Sequence, residues 1–379
     1  MNVLIITEDV GKTAPGIVFN RLIRGLALSH RVTLVSANFH PDSDIPDIQQ
    51  KIILPKKNIH SRLSRLFITF LGADPFDISW ASRVNNELKM QANTRFDLVF
   101  SFLSYSHFGG IIAGYEFSKI NNAPFAVYSV DAIPPPPGWL KKDLYYSGLL
   151  RMIRKYLSYA DYFFSLNKQM LEYMLGKFNH KKGFKSGIIY TSVEGNPRIF
   201  PALPRNCTNR FIYTGGIYGL RKPDYIIEGF RRLLEVYPDS ELIFIGTQFT
   251  DTFTPQCIGK KIRLLPYTKD LDTYYKEATA LVDIDADIDN DVFLSSKIPN
   301  YLMVNRIIIS ETGSNSPSAQ LFRDIQSIIQ CGHDPIQLCS AMKKAIELRN
   351  TESFEDRNQV IRLFQIDNII ENLNNILRQ

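Results

Sequence analysis

No unbroken apolar run in this 379-residue sequence approaches the ~18–20 residues that span a bilayer; Leu66–Ala73 is among the longest. The N-terminal MNVLIITEDV has no basic region ahead of its apolar stretch, so it reads as a first buried strand and not as a secretory signal. Cysteine is scarce. Cys207, Cys257, Cys331 and Cys339 form no CxxC pair, which excludes a disulfide scaffold and predicts reduced, mostly buried thiols. The six histidines include no HExxH or His-x-His arrangement, so no metal site is expected. Low-complexity tracts and short-period repeats are missing as well. Together these absences predict a soluble, intracellular protein.

What remains is an ordinary globular composition. With 45% hydrophobic and 22% charged residues a normal core can form. At about 150 residues per domain, the length predicts two domains. Lys and Arg exceed Asp and Glu by 44 to 38, a balance of +6 that favours anionic partners: nucleotides, phospholipid surfaces or nucleic acid.

A short β-rich apolar run, a polar or Gly-containing loop and an amphipathic stretch recur along the chain. In the first half the runs are 3–7, 31–36, 98–102, 125–129, 162–165 and 187–190. Their near-continuous apolarity suits strands buried on both faces of a parallel sheet. Val18, Leu22, Ile23, Leu26 and Ala27 recur at helical spacing after the first. The pattern restarts at Arg210, with further strands at 241–245, 262–265, 280–284 and 306–310. Between the halves lie Pro197, Pro201 and Pro204, as in a linker. Two α/β domains follow, at 1–193 and 210–352, joined by 194–209. The segment 353–379 reads as one more helical pattern, and ligands of such folds bind at the carboxyl ends of strands.

Three loops carry possible chemistry. Gly11-Lys12-Thr13 follows a strand, but a phosphate-cradling loop needs a glycine where Ile6 stands. It reads as a plain loop that ends in Gly16 and opens a helix. Next comes Tyr213-Thr-Gly215-Gly216-Ile-Tyr-Gly-Leu-Arg221-Lys222-Pro223, in which a strand ends at a glycine pair, two cations follow and a helix begins. Glycines admit a ligand to the backbone and cations add charge, as a pyrophosphate requires; an ordinary βα loop with solvated cations fits the spacing too. In the third, a strand runs through Asp283, Asp285, Asp287, Asp289 and Asp291 to Ser295-Ser296-Lys297 and a helix. The alternating acids lack the glycine and terminal Glu of a calcium loop. Ser296 and Lys297 suit phosphate oxygens, and N-capping by Ser295 or Ser296 is the structural alternative.

At these residues the chain resembles a family 4 glycosyltransferase of the GT-B fold, of bacterial surface-polysaccharide type. FIYTGGIYGLRKPDYIIEGFRRLLEVYPDSELIFIG is similar to that family's strand, glycine loop, cation, helix and strand, and SSKIPNYLMVNRIIIS to its donor-site block. The resemblance implies two Rossmann-like domains facing a cleft, a terminal helix crossing back over 353–379, and a donor held by the C-terminal domain. It implies transfer of a hexose from a UDP- or GDP-sugar to a saccharide acceptor with retention and without a metal or other cofactor. Gly215 and Gly216 match the glycine loop, and Arg221 or Lys222 the pyrophosphate cation. Ser296 and Lys297 fall at the donor phosphates, with Thr312 and Gly313 near the same pocket. The family's two glutamates, with seven residues between them, are missing here. Asn300 stands at the second, and Asp289 or Asp291 stands in for the first.

In the N-terminal domain the resemblance places Gly16 at the donor, His107 where the family often keeps a sugar-contacting histidine, and Asp131 where a carboxylate orients the acceptor hydroxyl. A structural His107 and a turn-capping Asp131 are the alternatives. Two basic amphipathic stretches, 60–71 and 144–159, are either core-facing helices with a solvated side or helices lying on an anionic bilayer. With the resemblance, the second option implies a polyprenol-linked acceptor in O-antigen, capsule or exopolysaccharide assembly, and a cytoplasmic protein touching the inner face of the plasma membrane. An inactive nucleotide-sugar or polysaccharide-binding module and a nucleotide-sugar epimerase are the alternatives. Nucleic acid is not an expected partner, since it would explain the charge but not the loops.

Overall fold

The structure is a computed structural model that describes residues 1–43, 45–57, 61–90, 95–105, 107–247, 260–350 and 354–378. Cys257 and His60 lie outside them. The chain divides into two units, one comprising 1–194 with 365–379 and the other 195–364.

In the first unit, seven parallel strands line up in the order β3-β2-β1-β4-β5-β6-β7. They are β1 (Asn2–Val10), β2 (Arg31–Phe39), β3 (Gln50–Ile53), β4 (Leu98–Leu103), β5 (Phe125–Ser129), β6 (Tyr162–Ser165) and β7 (Lys185–Ile188). Strand β3 escapes a reading by hydrophobicity because it is an edge strand with most of its residues exposed. Strand β1 is buried along almost its whole length, and it pairs with β2 and β4, so the chain order reverses beside it. Helix α1 (Ala14–Ser29) starts two residues before the expected loop end. The Thr13 hydroxyl caps it by accepting from the Gly16 N–H at 3.1 Å, which leaves Gly16 buried inside the first turn.

Helices α2 (Ser61–Leu71) and α5 (Leu144–Leu157) pack together. A Cβ on Gly148 would fall 2.2 Å from the Ile68 carbonyl oxygen, so only glycine allows this approach. Of the two alternatives for the basic amphipathic stretches, a core-facing helix or one lying on a bilayer, α5 takes the first. Its Tyr146, Leu149, Ile153, Tyr156 and Leu157 are buried in the core. On α2, Leu63, Leu66, Phe70 and Leu71 stay exposed. Among the described residues no helix is long and apolar enough to cross a membrane.

The second unit carries six parallel strands in the order β10-β9-β8-β11-β12-β13. These are β8 (Asn209–Thr214), β9 (Ser240–Ile245), β10 (Ile262–Leu265), β11 (Ala280–Ile284), β12 (Ile307–Glu311) and β13 (Ile328–Cys331). Here β8 and β11 flank the reversal. Helix α7 (Asp224–Leu234) buries Ile226, Ile227, Phe230 and Leu233 against the sheet. It packs closely on α11 (Pro335–Leu348), where a Cβ on Gly229 would meet the Pro335 carbonyl oxygen at 2.8 Å. The segment expected as a linker is tied into this unit: the Phe200 N–H donates to Asn305 and the Leu203 N–H to Asn350.

The terminal helical pattern is two pieces. A 3-10 turn (Glu355–Arg357) and α12 (Asn358–Phe364) belong to the second unit, and α13 (Ile366–Arg378) to the first. Arg357 is fully buried and donates to the carbonyls of Val304, Arg306 and Ser327. Helix α13 buries Ile369, Ile370 and Leu373 in the first unit's core. Glycine makes room for it: a Cβ on Gly25 would lie 2.5 Å from Ile366 Cγ1, and one on Gly187 2.4 Å from Ile376 Cδ1. Gly25→Val is therefore expected to lower stability by about 1–3 kcal/mol through overpacking. Denaturant titration with limited proteolysis checks this, and the C-terminal helix should become the first segment cleaved.

Candidate functional site

In each unit, polar and charged side chains gather at the carboxyl ends of the two strands where the order reverses. Open α/β sheets bind ligands there.

In the C-terminal unit the site begins where β8 ends. Gly215 turns the chain at φ +96°, a conformation that favours glycine. Its N–H donates to the Ile245 carbonyl at 2.8 Å, and its own carbonyl accepts from the Thr247 hydroxyl at 2.7 Å. Lys297 lies beside this turn, its Cε within ordinary contact, 3.5 Å, of a Cβ placed there. Gly216 is exposed, with its carbonyl accepting from the buried Tyr213 hydroxyl at 2.8 Å. Tyr301, on α9 (Ile298–Leu302), closes the back of the site; its hydroxyl accepts from the Thr214 N–H at 2.9 Å.

Arg221, Asp283 and Asp285 are buried behind this turn, and the Lys297 side chain beside them is 12% exposed. Arg221 is buried and Lys222 exposed, so burial separates the pair that the sequence left equivalent. The Arg221 guanidinium donates to the Tyr218 hydroxyl at 3.1 Å and lies 5.2 Å over that ring. Burial opposes its charge, but Tyr218, Asp285 and Asp283 outweigh this and raise its pKa. Lys297 Nζ stands 4.9 Å over the Tyr213 ring and 3.9 Å from Asp283 Oδ1, an ion pair too long for a hydrogen bond. Burial, with Arg221 nearby, pushes the Lys297 ammonium down to about 8.

Asp283 Oδ1 accepts from the Ser295 hydroxyl at 2.6 Å, and Asp285 Oδ2 from the Thr312 hydroxyl at 2.8 Å. Burial and the neighbouring Asp283 push Asp285 up to about 7. Arg221 Nε, Asp283 Oδ2 and Asp285 Oδ1 are buried without a hydrogen-bond partner among the described residues. A buried polar atom left unpaired costs about 1–3 kcal/mol. The cluster is thus incomplete as it stands.

The other expected residues sort themselves around this cluster. Ser296 is exposed, and the buried serine is Ser295. Neither caps α9; that position is Lys297, and five helical residues make a weak anion site. Asn300 is half-buried on α9, and its carbonyl accepts from Arg198 at 3.3 Å. Asp291 is buried and accepts from the Val292 N–H at 2.9 Å. Asp289 is exposed and, with Thr312 and Gly313, lines a different concavity. Gly313 serves close packing there, since a Cβ would sit 2.4 Å from the Ile288 carbonyl oxygen.

In the N-terminal unit the central residues were not singled out from sequence. Glu8, buried at the end of β1, accepts from the Gly109 N–H at the start of α4 (Gly109–Asn121) and from Lys56 Nζ, both at 2.5 Å. Lys56 also bonds Asp77 on α3 (Pro75–Met90). Burial raises Glu8 and, with Glu8 beside it, pushes Asp77 up to about 7. For Lys56, burial is outweighed by Glu8 and Asp77, and its pKa rises. The signal that could have found this cluster is the Glu8-Asp9 pair inside an otherwise apolar central strand.

Asp9 Oδ2 accepts from both the Thr13 N–H at 2.8 Å and its hydroxyl at 2.6 Å. Gly16 leaves room for that carboxylate, because a Cβ would fall 2.1 Å from Asp9 Oδ2. His107 Nδ1 lies 3.1 Å from the Ser104 hydroxyl, and burial, then Lys56, lowers its pKa. Asp131 accepts from the Tyr105 N–H at 2.7 Å, a turn-fixing bond, while burial raises its pKa.

Comparison with solved structures shows the same architecture. The chain is similar to Alr3699/HepE of Anabaena, solved with UDP and glucose, with a TM-score of 0.71 at 9% identity over 100% of both chains. It is similar to sucrose-phosphate synthase of Thermosynechococcus elongatus, at 0.67 and 13% over 100% of this chain and 98% of that one. The lipopolysaccharide outer core galactosyltransferase WaaB in its apo form matches at 0.62 and 15%, over 100% and 99%. No protein-family model matches the sequence, and no curated protein matches it. At such identities the likeness establishes the fold, which is that of the GT-B glycosyltransferases: two parallel-sheet α/β domains.

The Glu8–Lys56–Asp77 cluster has a measurable consequence. Lys56→Met leaves two buried carboxylates without their cation, a loss of about 3–5 kcal/mol at neutral pH. Because the folded pKa of Asp77 lies above the ordinary 3.8, its protonated form favours folding, and that stability is lost as pH rises through about 7. The deficit of the variant should therefore shrink as the pH is lowered toward 5, measured by denaturant titration across that range.

Proposed function

We propose that this protein is a glycosyltransferase that moves a hexose from a nucleotide-diphosphate sugar to a saccharide acceptor with retention of configuration. The observation that carries this reading is the incomplete buried cluster at the β8/β11 reversal: Arg221 and Lys297 beside an open glycine turn, with hydrogen-bonding capacity unused. A diphosphate is dianionic and rich in acceptors, which is the chemistry that two neighbouring cations, one with a buried N–H unpaired among the described residues, select. The neighbours solved with UDP and UDP-glucose support the same class of donor.

In the proposed reaction the acceptor hydroxyl attacks the anomeric carbon on the face from which the diphosphate departs. The bond from anomeric carbon to phosphate oxygen breaks, the new glycosidic bond forms, and the leaving phosphate takes the acceptor's proton. Arg221 and Lys297 stabilise the charge that develops on the diphosphate, with Gly215 and Gly216 giving the backbone access. Ser296, Lys222 and Asn300 are assigned to the donor's outer edge and Asp291 to the side of its sugar, while Asp289 lines the neighbouring concavity. His107 and Asp131 are assigned to the acceptor. No metal or other cofactor has a role in this scheme.

Thermal-shift and calorimetric titration with UDP-, GDP-, ADP- and dTDP-sugars test the donor. One class should stabilise the protein, and Lys297→Ala or Arg221→Ala should weaken that binding by about 10- to 100-fold, as for a lost charged hydrogen bond. Above pH 7 Asp285 ionises beside the diphosphate, and above about 8 Lys297 loses its proton. Affinity should therefore fall steadily between pH 6 and 9. Stabilisation without turnover on any lipid-linked or free saccharide would favour an inactive binding module, and turnover of donor alone an epimerase.

The acceptor is proposed to be polyprenol-linked, in bacterial surface-polysaccharide assembly, with the protein reaching the inner face of the plasma membrane through α2. Exposed Leu63, Leu66, Phe70 and Leu71 beside Arg62 and Arg65 support this. Phe70→Glu with Leu66→Glu should abolish co-sedimentation with anionic vesicles while leaving the donor-induced thermal shift intact.

A further inference from the structure

The second unit holds a concavity of about 610 Å³ that the diphosphate cluster does not use. It lies at the carboxyl ends of β12 and β13, beside α10 (Pro317–Leu321) and the start of α11. Its size falls within the ~300–1,000 Å³ of small-molecule sites. Asp287, Asp289, Ser314, Arg323, His333 and Gln337 supply most of its polar lining.

The wall at His333 is built with care. Glu311, fully buried at the end of β12, lies 2.9 Å from His333 Nδ1. The His333 side chain is only one-tenth exposed, and its Nε2, like Glu311 Oε2, has no hydrogen-bond partner among the described residues. The Tyr225 ring centre stands 6.0 Å from that of His333, and the Tyr225 hydroxyl donates to Asp287 Oδ2 at 3.1 Å. Asp287 and His333 thus line the cavity, with Tyr225 and Glu311 bonded to them or packed against them from outside its lining. Leaving two polar atoms of this group unpaired is costly unless something completes them.

The lining identifies the chemical class. It offers acceptors and donors of both kinds and no Phe, Tyr or Trp among its lining residues, so it has little on which to stack a base and no apolar floor for a lipid. Asp287 and Asp289, with Glu311 bonded to His333 behind them, outnumber Arg323 and His333, which disfavours a phosphate. Neutral hydroxyls, each a donor and an acceptor at once, match it throughout. Thr312 joins the cavity to the diphosphate cluster: it lines the one and donates to Asp285 of the other.

We propose that this cavity is a saccharide-binding subsite that takes one or two neutral sugar rings, separate from the diphosphate cluster and adjoining it through Thr312. Its use for the acceptor chain rests on the glycosyltransferase reading, whereas binding of a free sugar does not. Saturation-transfer NMR of the full chain, with glucose, galactose, N-acetylglucosamine, mannose, lactose and maltose at millimolar concentration, tests it. At least one sugar should receive saturation, and Arg323→Ala and His333→Gln should each weaken its binding by about fivefold or more, the size of a lost hydrogen bond. Arg323 is exposed, so its removal tests the site without threatening the fold. Arg323→Ala should keep the wild-type unfolding temperature, and both variants should keep the shift given by a nucleotide sugar where one stabilises the protein. Sugar binding that persists when no nucleotide sugar stabilises the protein supports the subsite and overturns only its acceptor role. No transfer to any sugar, or transfer undiminished in both variants, overturns the proposal.

Discussion

Charge buried at the ends of parallel strands is the constraint around which both units are arranged. A parallel sheet covered on both faces favours apolar residues, yet β1 ends in Glu8 and Asp9 and β11 leads through Asp283 to Asp285. Each of these carboxylates has to find a partner within reach of a fixed strand end. The surrounding chain is shaped by that requirement: Lys56 is brought in from the loop after β3, and Arg221 and Lys297 from two different loops after β8 and β11. Glycine recurs beside these charges because space is short. Gly16 yields room to Asp9, and Gly109 to Glu8.

The two clusters solve the same problem differently. Around Glu8 one lysine bridges two acids and the Gly109 amide adds a third donor, which fixes the start of α4. Around Asp285 two cations face two carboxylates, yet the Lys297–Asp283 pair is long and, among the described residues, Arg221 Nε and two carboxylate oxygens are left without partners. A closed network favours a rigid scaffold, whereas an open one keeps donors and acceptors available. Closure of the hydrogen bonds, more than net charge, distinguishes the two clusters.

How far all this was legible depended on the kind of signal. Buried parallel strands announce themselves by continuous apolarity, so β1, β2, β4, β5 and β11 stand out, while β3 and β13 are short edge strands whose pairing comes from their neighbours. The Gly215–Lys222 loop stands out in the sequence as a candidate phosphate loop because glycine and cations are local features. Which cation faces inward was not legible, since Arg221 and Lys222 differ only in the direction the turn gives them. Ser295 and Ser296 pose the same difficulty. The Glu8–Lys56–Asp77 cluster unites residues from three separate elements, and nothing in local spacing marks Lys56 or Asp77 as its members. The break between α12 and α13 hides because both carry the same apolar period.

That break gives the chain an unusual order of completion. The first unit takes residues 1–194 and then waits for 365–379, with the whole second unit in between. Until α13 arrives, the groove beside Gly25 and Gly187 has no occupant, and the core positions of Ile369, Ile370 and Leu373 are vacant. During synthesis the second unit can close its core first, since its residues are contiguous, while the earlier-made half stays open. The domain that is translated first is the one that finishes folding last.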